Sequence, residues 1–135
     1  MKKKYFLAFA LSFLGFTKAM AAEKTAFTDV LFTSAPSIQV QVEGQMFYLL
    51  GINGISRADL MTQCQSTFGP QCQCQFAEKF TETMAALGQP VGETARVRLY
   101  QMADHSITES ELPVNEDNQM ELLINRERRN EICFP

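Results

Sequence analysis

The chain has 135 residues, with 12 Lys and Arg against 15 Asp and Glu. Lys2, Lys3, Lys4 and Lys18 all precede residue 22, so the remainder carries 8 basic against 15 acidic residues, a net charge of −7 with His neutral. That balance argues against a nucleic-acid partner, because displacing counterions from a phosphate backbone needs clustered positive charge. Arg96 with Arg98, and Arg126 with Arg128 and Arg129, are local basic spots read as a solvated face.

The chain opens on a basic stretch, an apolar run from Tyr5 to Phe16, and the small residues Ala19-Met20-Ala21. A run of about a dozen apolar residues is short for a bilayer span and ends where signal peptidase would cut. Residues 1–21 are therefore expected to be a signal peptide, and residues 22–135 one domain, periplasmic or secreted. Nothing later in the sequence is apolar enough to span a membrane. A domain of that size buries about two-thirds of its unfolded surface and supports its own core.

After Asp29-Val30-Leu31-Phe32, the stretch Thr33 to Ser37 reads as a turn. Ile38, Val40 and Val42 alternate with Gln39, Gln41 and Glu43, the pattern of a half-buried strand. Gly44-Gln45 turns the chain into the apolar run Met46 to Ile52, read as a central strand with Leu50 in the core. Gly51 within that strand predicts a bend or a close backbone contact. Asn53-Gly54 ends it, since both residues tolerate positive φ.

Residues 56–71 are polar and read as a loop closed by Gly69-Pro70. From Gln71 to Leu87 the period changes to that of a helix, with Phe76, Ala77, Phe80, Met84 and Leu87 on one stripe, Gly88 as its cap and Pro90 as a block. Ala95 to Met102 alternates again, Val97, Leu99 and Gln101 on one face and Arg96, Arg98 and Tyr100 on the other. Asp104 to Gln119 reads as an acidic excursion with a short strand near Ile107. Met120 to Ile132 fits a strand ending near Asn125 or a helix with Asn118 as N-cap and Glu121 at the third helical position, the helix being preferred.

Four cysteines lie beyond residue 22. In an exported protein an even count reads as two disulfides. Cys72 and Cys74 are too close to bond each other, so Cys64 pairs with one of them and Cys133 with the other. A zinc site from these thiols and His105 does not match the short paired spacings of structural zinc sites. His105, beside Asp104 in a polar segment, reads as a surface side chain rather than a general base. The sequence holds no nucleophile elbow, zinc-protease, phosphate-loop or dinucleotide motif.

The order hairpin, "LLGIN", polar loop, "FAEKFTETMAALGQPV" and strand resembles the staphylococcal nuclease-like (thermonuclease) family from Val30 to Leu99. The resemblance implies an α+β, mainly β fold, a small OB-like barrel with one or two packed helices. It also implies a calcium-dependent nuclease site whose residues are absent. Ser34 and Pro36 stand where the family has metal-binding aspartates, Asn53 where it has the aspartate of "G-I-D", and Ser56 where it has the water-positioning glutamate. Tyr48 takes the place of a phosphate-gripping arginine. Without these groups the charge stabilisation that phosphoryl chemistry needs is missing. The expectation is a binding domain with no catalytic residue, no metal and no cofactor, holding a protein or peptide, with the acidic loops favouring a basic one. Its expected loops include Ser34, Ser37, Asn53, Arg57, Asp104, His105, Glu109 and Glu111. The competing expectation is a divergent nuclease with Asp29, Glu43 or Asp59 as replacement ligands.

Overall fold

A computed structural model describes residues 23–33 and 37–134. The expected signal peptide, and Ser34 and Pro36, lie outside the described residues. The fold is α+β. Its strands are β1 (Asp29–Phe32), β2 (Ile38–Val42), β3 (Gln45–Ile52), β4 (Ile55–Ser56), β5 (Thr94–Gln101) and β6 (Ser106–Pro113). Its helices are α1 (Arg57–Phe68), α2 (Cys72–Glu78), α3 (Phe80–Ala86) and α4 (Glu116–Arg128), with a 3₁₀ turn at Gly69–Gln71.

The strands form one antiparallel sheet in the order β1-β2-β3-β5-β6, with β4 attached to β3. Two tight turns set its course. Glu43 and Gly44, and then Asn53 and Gly54, all have positive φ, as two-residue hairpins matched to the strand twist require. Asn53 adds a second clasp: its main-chain N–H donates to Arg96 O at 2.7 Å, and its Oδ1 accepts from Arg96 N at 3.0 Å. Among the described residues β1 and β6 do not meet. The sheet is therefore open and does not close into the barrel that the nuclease-like resemblance implies.

One face of the sheet carries the core. Val30, Ile38, Val40, Leu49, Ile52, Val97 and Leu99 are buried against the helical residues Leu60, Phe76, Phe80, Met84 and Leu122. Phe76 and Phe80 meet edge to face at 5.7 Å, and Phe80 meets Phe27 at 5.5 Å. The expected helical stripe of Phe76, Ala77, Phe80, Met84 and Leu87 is this buried surface.

Four sequence expectations change. The first is Leu50. Leu49 pairs with Leu99, but Gly51, not Leu50, pairs with Arg98. Two residues of β3 thus oppose one of β5, a bulge that resets the alternation and lets both Leu49 and Ile52 face the core. Leu50 points outward and is part-exposed, while Leu49 is buried. Gly51 is obligatory here, since a Cβ would lie 2.7 Å from the Ile55 carbonyl oxygen. Leu49→Ala is accordingly expected to cost about 2–5 kcal/mol in urea unfolding. Leu50→Ala should cost under about 1 kcal/mol, because it removes little buried area. A larger loss at Leu50 than at Leu49 would refute the bulge.

Second, residues 56–71 hold a twelve-residue helix rather than a loop. Ser56 caps it, its hydroxyl accepting from Asp59 N at 3.2 Å. Only Leu60 and Cys64 of this helix are fully buried, so its apolar stripe is too thin to be seen in the sequence. Third, the Gln71–Leu87 helix is broken at Lys79, where φ is −132°. The break frees the Glu78 carbonyl, which accepts from Gln119 Nε2 at 2.9 Å instead of from the next helical turn. Fourth, the acidic excursion is an eight-residue strand, β6, followed by α4, whose N-cap is Asn115 and not Asn118. Asn115 Oδ1 accepts from Asn118 N at 2.8 Å.

The disulfides are Cys64–Cys72 and Cys74–Cys133, within the expected pattern. No described helix is long and apolar enough to cross a membrane.

Candidate functional site

The helices cover one face of the sheet. The other face, across β3, β5 and β6, carries the polar half of each alternation. Arg96, Arg98 and Tyr100 of β5 stand beside Glu111, Glu109 and Ile107 of β6 in direct register. On the opposite flank Tyr48 of β3 pairs with Tyr100, with ring centroids 6.3 Å apart. Arg96, Arg98, Glu109 and Glu111 are exposed, and Ile107 is 52 % exposed.

The bulge opens a concavity in this face. A cleft of about 200 Å³ lies over Gly51, lined by Leu50, Ile55, Ser56, Arg96, Arg98 and Glu109. It adjoins a shallower hollow bordered by Asn53, Gly54 and Glu111. The charges are unequally engaged. Arg96 Nε lies 3.3 Å from Glu111 Oε2, and Thr94 Oγ1 donates to Glu111 Oε1 at 2.8 Å. The Thr94 hydroxyl first, and Arg96 second, hold the Glu111 carboxyl below its ordinary range. Arg98 and Glu109 face each other in register, yet among the described residues neither side chain has an ion pair or side-chain hydrogen bond. An unpaired guanidinium beside an apolar floor is an arrangement that recognises a polar group carried on an apolar side chain.

At the end of the same face, the Tyr100 hydroxyl lies 2.6 Å from His105 Nδ1. His105 has positive φ and sits in the β5–β6 turn, where Asp104 Oδ1 accepts from Ser106 N at 3.0 Å and from Ser106 Oγ at 2.6 Å. Those two bonds hold the Asp104 carboxyl below its ordinary range, the hydroxyl acting most.

The structure thus gathers Tyr48, Asn53, Ser56, His105, Glu109 and Glu111 on one side. It leaves Ser37 and Arg57 elsewhere, beside a groove lined by Phe32, Ile38 and Met61. Ser37 is tied to Thr33, their hydroxyls 2.7 Å apart. Two of the five positions read as vacated nuclease residues have structural occupations here, Asn53 clasping β5 and Ser56 capping α1. Of the replacement ligands, Asp29 is gripped by both terminal nitrogens of Arg129, at 2.6 and 2.8 Å. That contact, more than any other, pushes the Arg129 guanidinium further above its already high range. Glu43 lies in the β2–β3 turn and Asp59 in the first turn of α1. Among the described residues no three His, Cys, Asp or Glu side chains are grouped to share a metal ion.

Sequence reasoning set Arg96 and Arg98 aside as solvated and placed Leu50 in the core. The available signal was the alternation Arg96-Arg98-Tyr100, which already put three recognition-type side chains on one face. Compared with protein-family models, curated proteins and solved structures, the chain matches none.

Proposed function

We propose that the protein is an exported, non-catalytic binding domain of the bacterial envelope, and that it grips a protein partner with the uncovered face of β3, β5 and β6. The observation that carries this reading is the combination on one open face of Tyr48, Tyr100, Leu50 and Arg98, four side chains with large contact area or an unused donor set. Tyrosine and arginine dominate binding energy at protein interfaces, and an apolar floor rimmed by charge is the usual anatomy of such a patch. Two disulfides agree with an oxidising compartment. The nuclease-like resemblance, with its metal-binding and water-positioning residues replaced, points the same way. The acidic surplus of the chain favours a basic partner by steering its approach.

A photo-crosslinking amino acid placed at Arg98, in cells of a bacterium that exports the protein, tests the reading. A single stoichiometric adduct is expected, and Tyr48→Ala with Tyr100→Ala should diminish it at least tenfold. The same probe at Thr62, on α1, should give none. Equal labelling from Thr62 and Arg98, or no adduct from Arg98, would refute the proposal.

A further inference from the structure

The sheet has two edges, and they are treated differently. Beside β1, Arg126 Nη1 donates to the Val30 carbonyl at 3.2 Å and Asn125 Nδ2 to the Thr28 carbonyl at 2.9 Å, so α4 covers that edge. The edge of β6 has no such cover. Apart from its two ends, where Ser106 N donates to Asp104 Oδ1 at 3.0 Å and the Pro113 carbonyl accepts from Asn118 Nδ2 at 3.0 Å, no main-chain group of β6 bonds to anything outside β5 among the described residues. The eight pairs with β5 run without a bulge, and the edge carries no lysine and only a terminal proline. Those are the devices that normally blunt an exposed edge strand.

Its side chains are informative about what belongs there. On the outer face β5 presents Arg96 and Arg98, and β6 presents Glu111 and Glu109 opposite them. The signs alternate strand by strand, and the next row is vacant. A second copy of this chain does not suit it. Antiparallel pairing of β6 with itself about a two-fold axis places Glu109 against Glu109, Glu109 against Glu111, or Glu111 against Glu111 in every central register, and like charges directly opposed destabilise a sheet. A strand bearing cations at alternate positions does suit it. Toward the turn the row changes from charged to apolar, since Ile107 stands beside Tyr100 and Tyr48.

Resting on the reading that the outer face binds a protein, we infer that β6 takes up an extended basic segment of the partner as an additional strand. Lys or Arg side chains two residues apart lie opposite Glu111 and Glu109, and an apolar side chain two further on lies opposite Ile107. Main-chain hydrogen bonds supply the strand addition, and the alternate side chains supply the selectivity.

The test is fluorescence anisotropy with blocked decapeptides. One carries Lys, Arg and Val at positions i, i+2 and i+4, a second has that order reversed for parallel addition, and a third has the same composition with the two cations adjacent. Binding of the first or second is expected to be at least tenfold tighter than that of the third. Glu109→Lys should weaken the preferred peptide at least tenfold, and Glu109→Gln, which removes the charge without placing a second cation opposite Arg98 and has no ion pair or hydrogen bond to lose, should also weaken it while leaving the thermal melt unchanged. N-methylation of alternate peptide nitrogens should abolish binding in one set and be tolerated in the other, because only every second residue of an added strand bonds to β6. Equal binding of all three peptides, or no binding of any, overturns the inference. Equal tolerance of both N-methylated sets also overturns it, while leaving recognition by the outer face standing. Sedimentation showing a dimer that Glu109→Lys alters overturns it in favour of a second copy.

Discussion

Arg126→Met is expected to lower the free energy of unfolding by about 3–5 kcal/mol, the loss typical when one member of a buried ion pair is removed. Arg126 and Glu78 are 7 % and 2 % exposed at their side chains, with Arg126 Nε 2.9 Å from Glu78 Oε2. The pair is the centre of a larger junction. Glu78 Oε2 also accepts from Cys133 N at 2.8 Å, and Oε1 from Phe134 N at 3.0 Å. Arg126 donates to the Glu131 carbonyl at 2.8 Å as well as to Val30. Removing the guanidinium leaves a buried carboxylate with two amide donors and no countercharge, and leaves two main-chain carbonyls short of a donor. Urea unfolding of the oxidised protein measures the loss. Glu78→Gln, which removes the charge and keeps an acceptor for only one of the two tail amides, should still cost less than Arg126→Met, because Arg126 keeps its bonds to the Val30 and Glu131 carbonyls. A loss under about 1 kcal/mol for Arg126→Met would mean that water reaches Glu78.

Breaking Cys74–Cys133 is expected to have an effect of similar size. The bridge spans 59 residues of chain. In the chain-entropy account a closed loop of that length contributes about 4 kcal/mol, against about 2.6 kcal/mol for the eight-residue span of Cys64–Cys72. Cys74→Ser with Cys133→Ser should therefore lower the melting temperature more than Cys64→Ser with Cys72→Ser. The two C-terminal losses are coupled, because the disulfide and the Arg126–Glu78 pair hold the same few residues to α2. Combining Arg126→Met with Cys133→Ser should cost less than the sum of the single changes, as expected for residues sharing one junction. Full additivity would show that the tail is held by the two independently.

These junctions mark where the sequence stops being readable. Ile38-Val40-Val42 and Val97-Leu99 declare their inward faces by alternation; the turn read at Gly44-Gln45 lies one residue earlier, at Glu43-Gly44 in the structure, and Asn53-Gly54, read as the end of a strand, also turns the chain into β4. The stripe from Phe76 to Leu87 declares a helix, but not its break at Lys79. That break depends on Gln119, which is 41 positions along the chain from Glu78. Met46 to Ile52 reads as a strand without revealing which leucine is inside. The answer lies in the bulge against β5, which exists because Leu49 and Ile52 both reach the core. The polar alternation of β6 resembles a loop in isolation, since an edge strand with one part-covered face has few apolar positions to show.

The candidate site divides the same way. Arg96, Arg98, Tyr100, Glu109 and Glu111 can each be assigned to a strand face from local pattern. That Arg98 lies over a cleft floored by Gly51, and that Glu109 lies on an uncovered edge, follow only from the pairing of β5 with both β3 and β6.

The sequence by itself determined two alternating strands, the first hairpin turn to within one residue and the apolar helix stripe, because each depends on residues within a few positions of one another. The tertiary structure alone decided that the sheet stays open, that Leu50 faces outward, that α1 is a helix, and that Glu78 and Arg126 meet inside. Those outcomes depend on which distant segments pack together, and burial couples such residues without leaving a local periodicity to read.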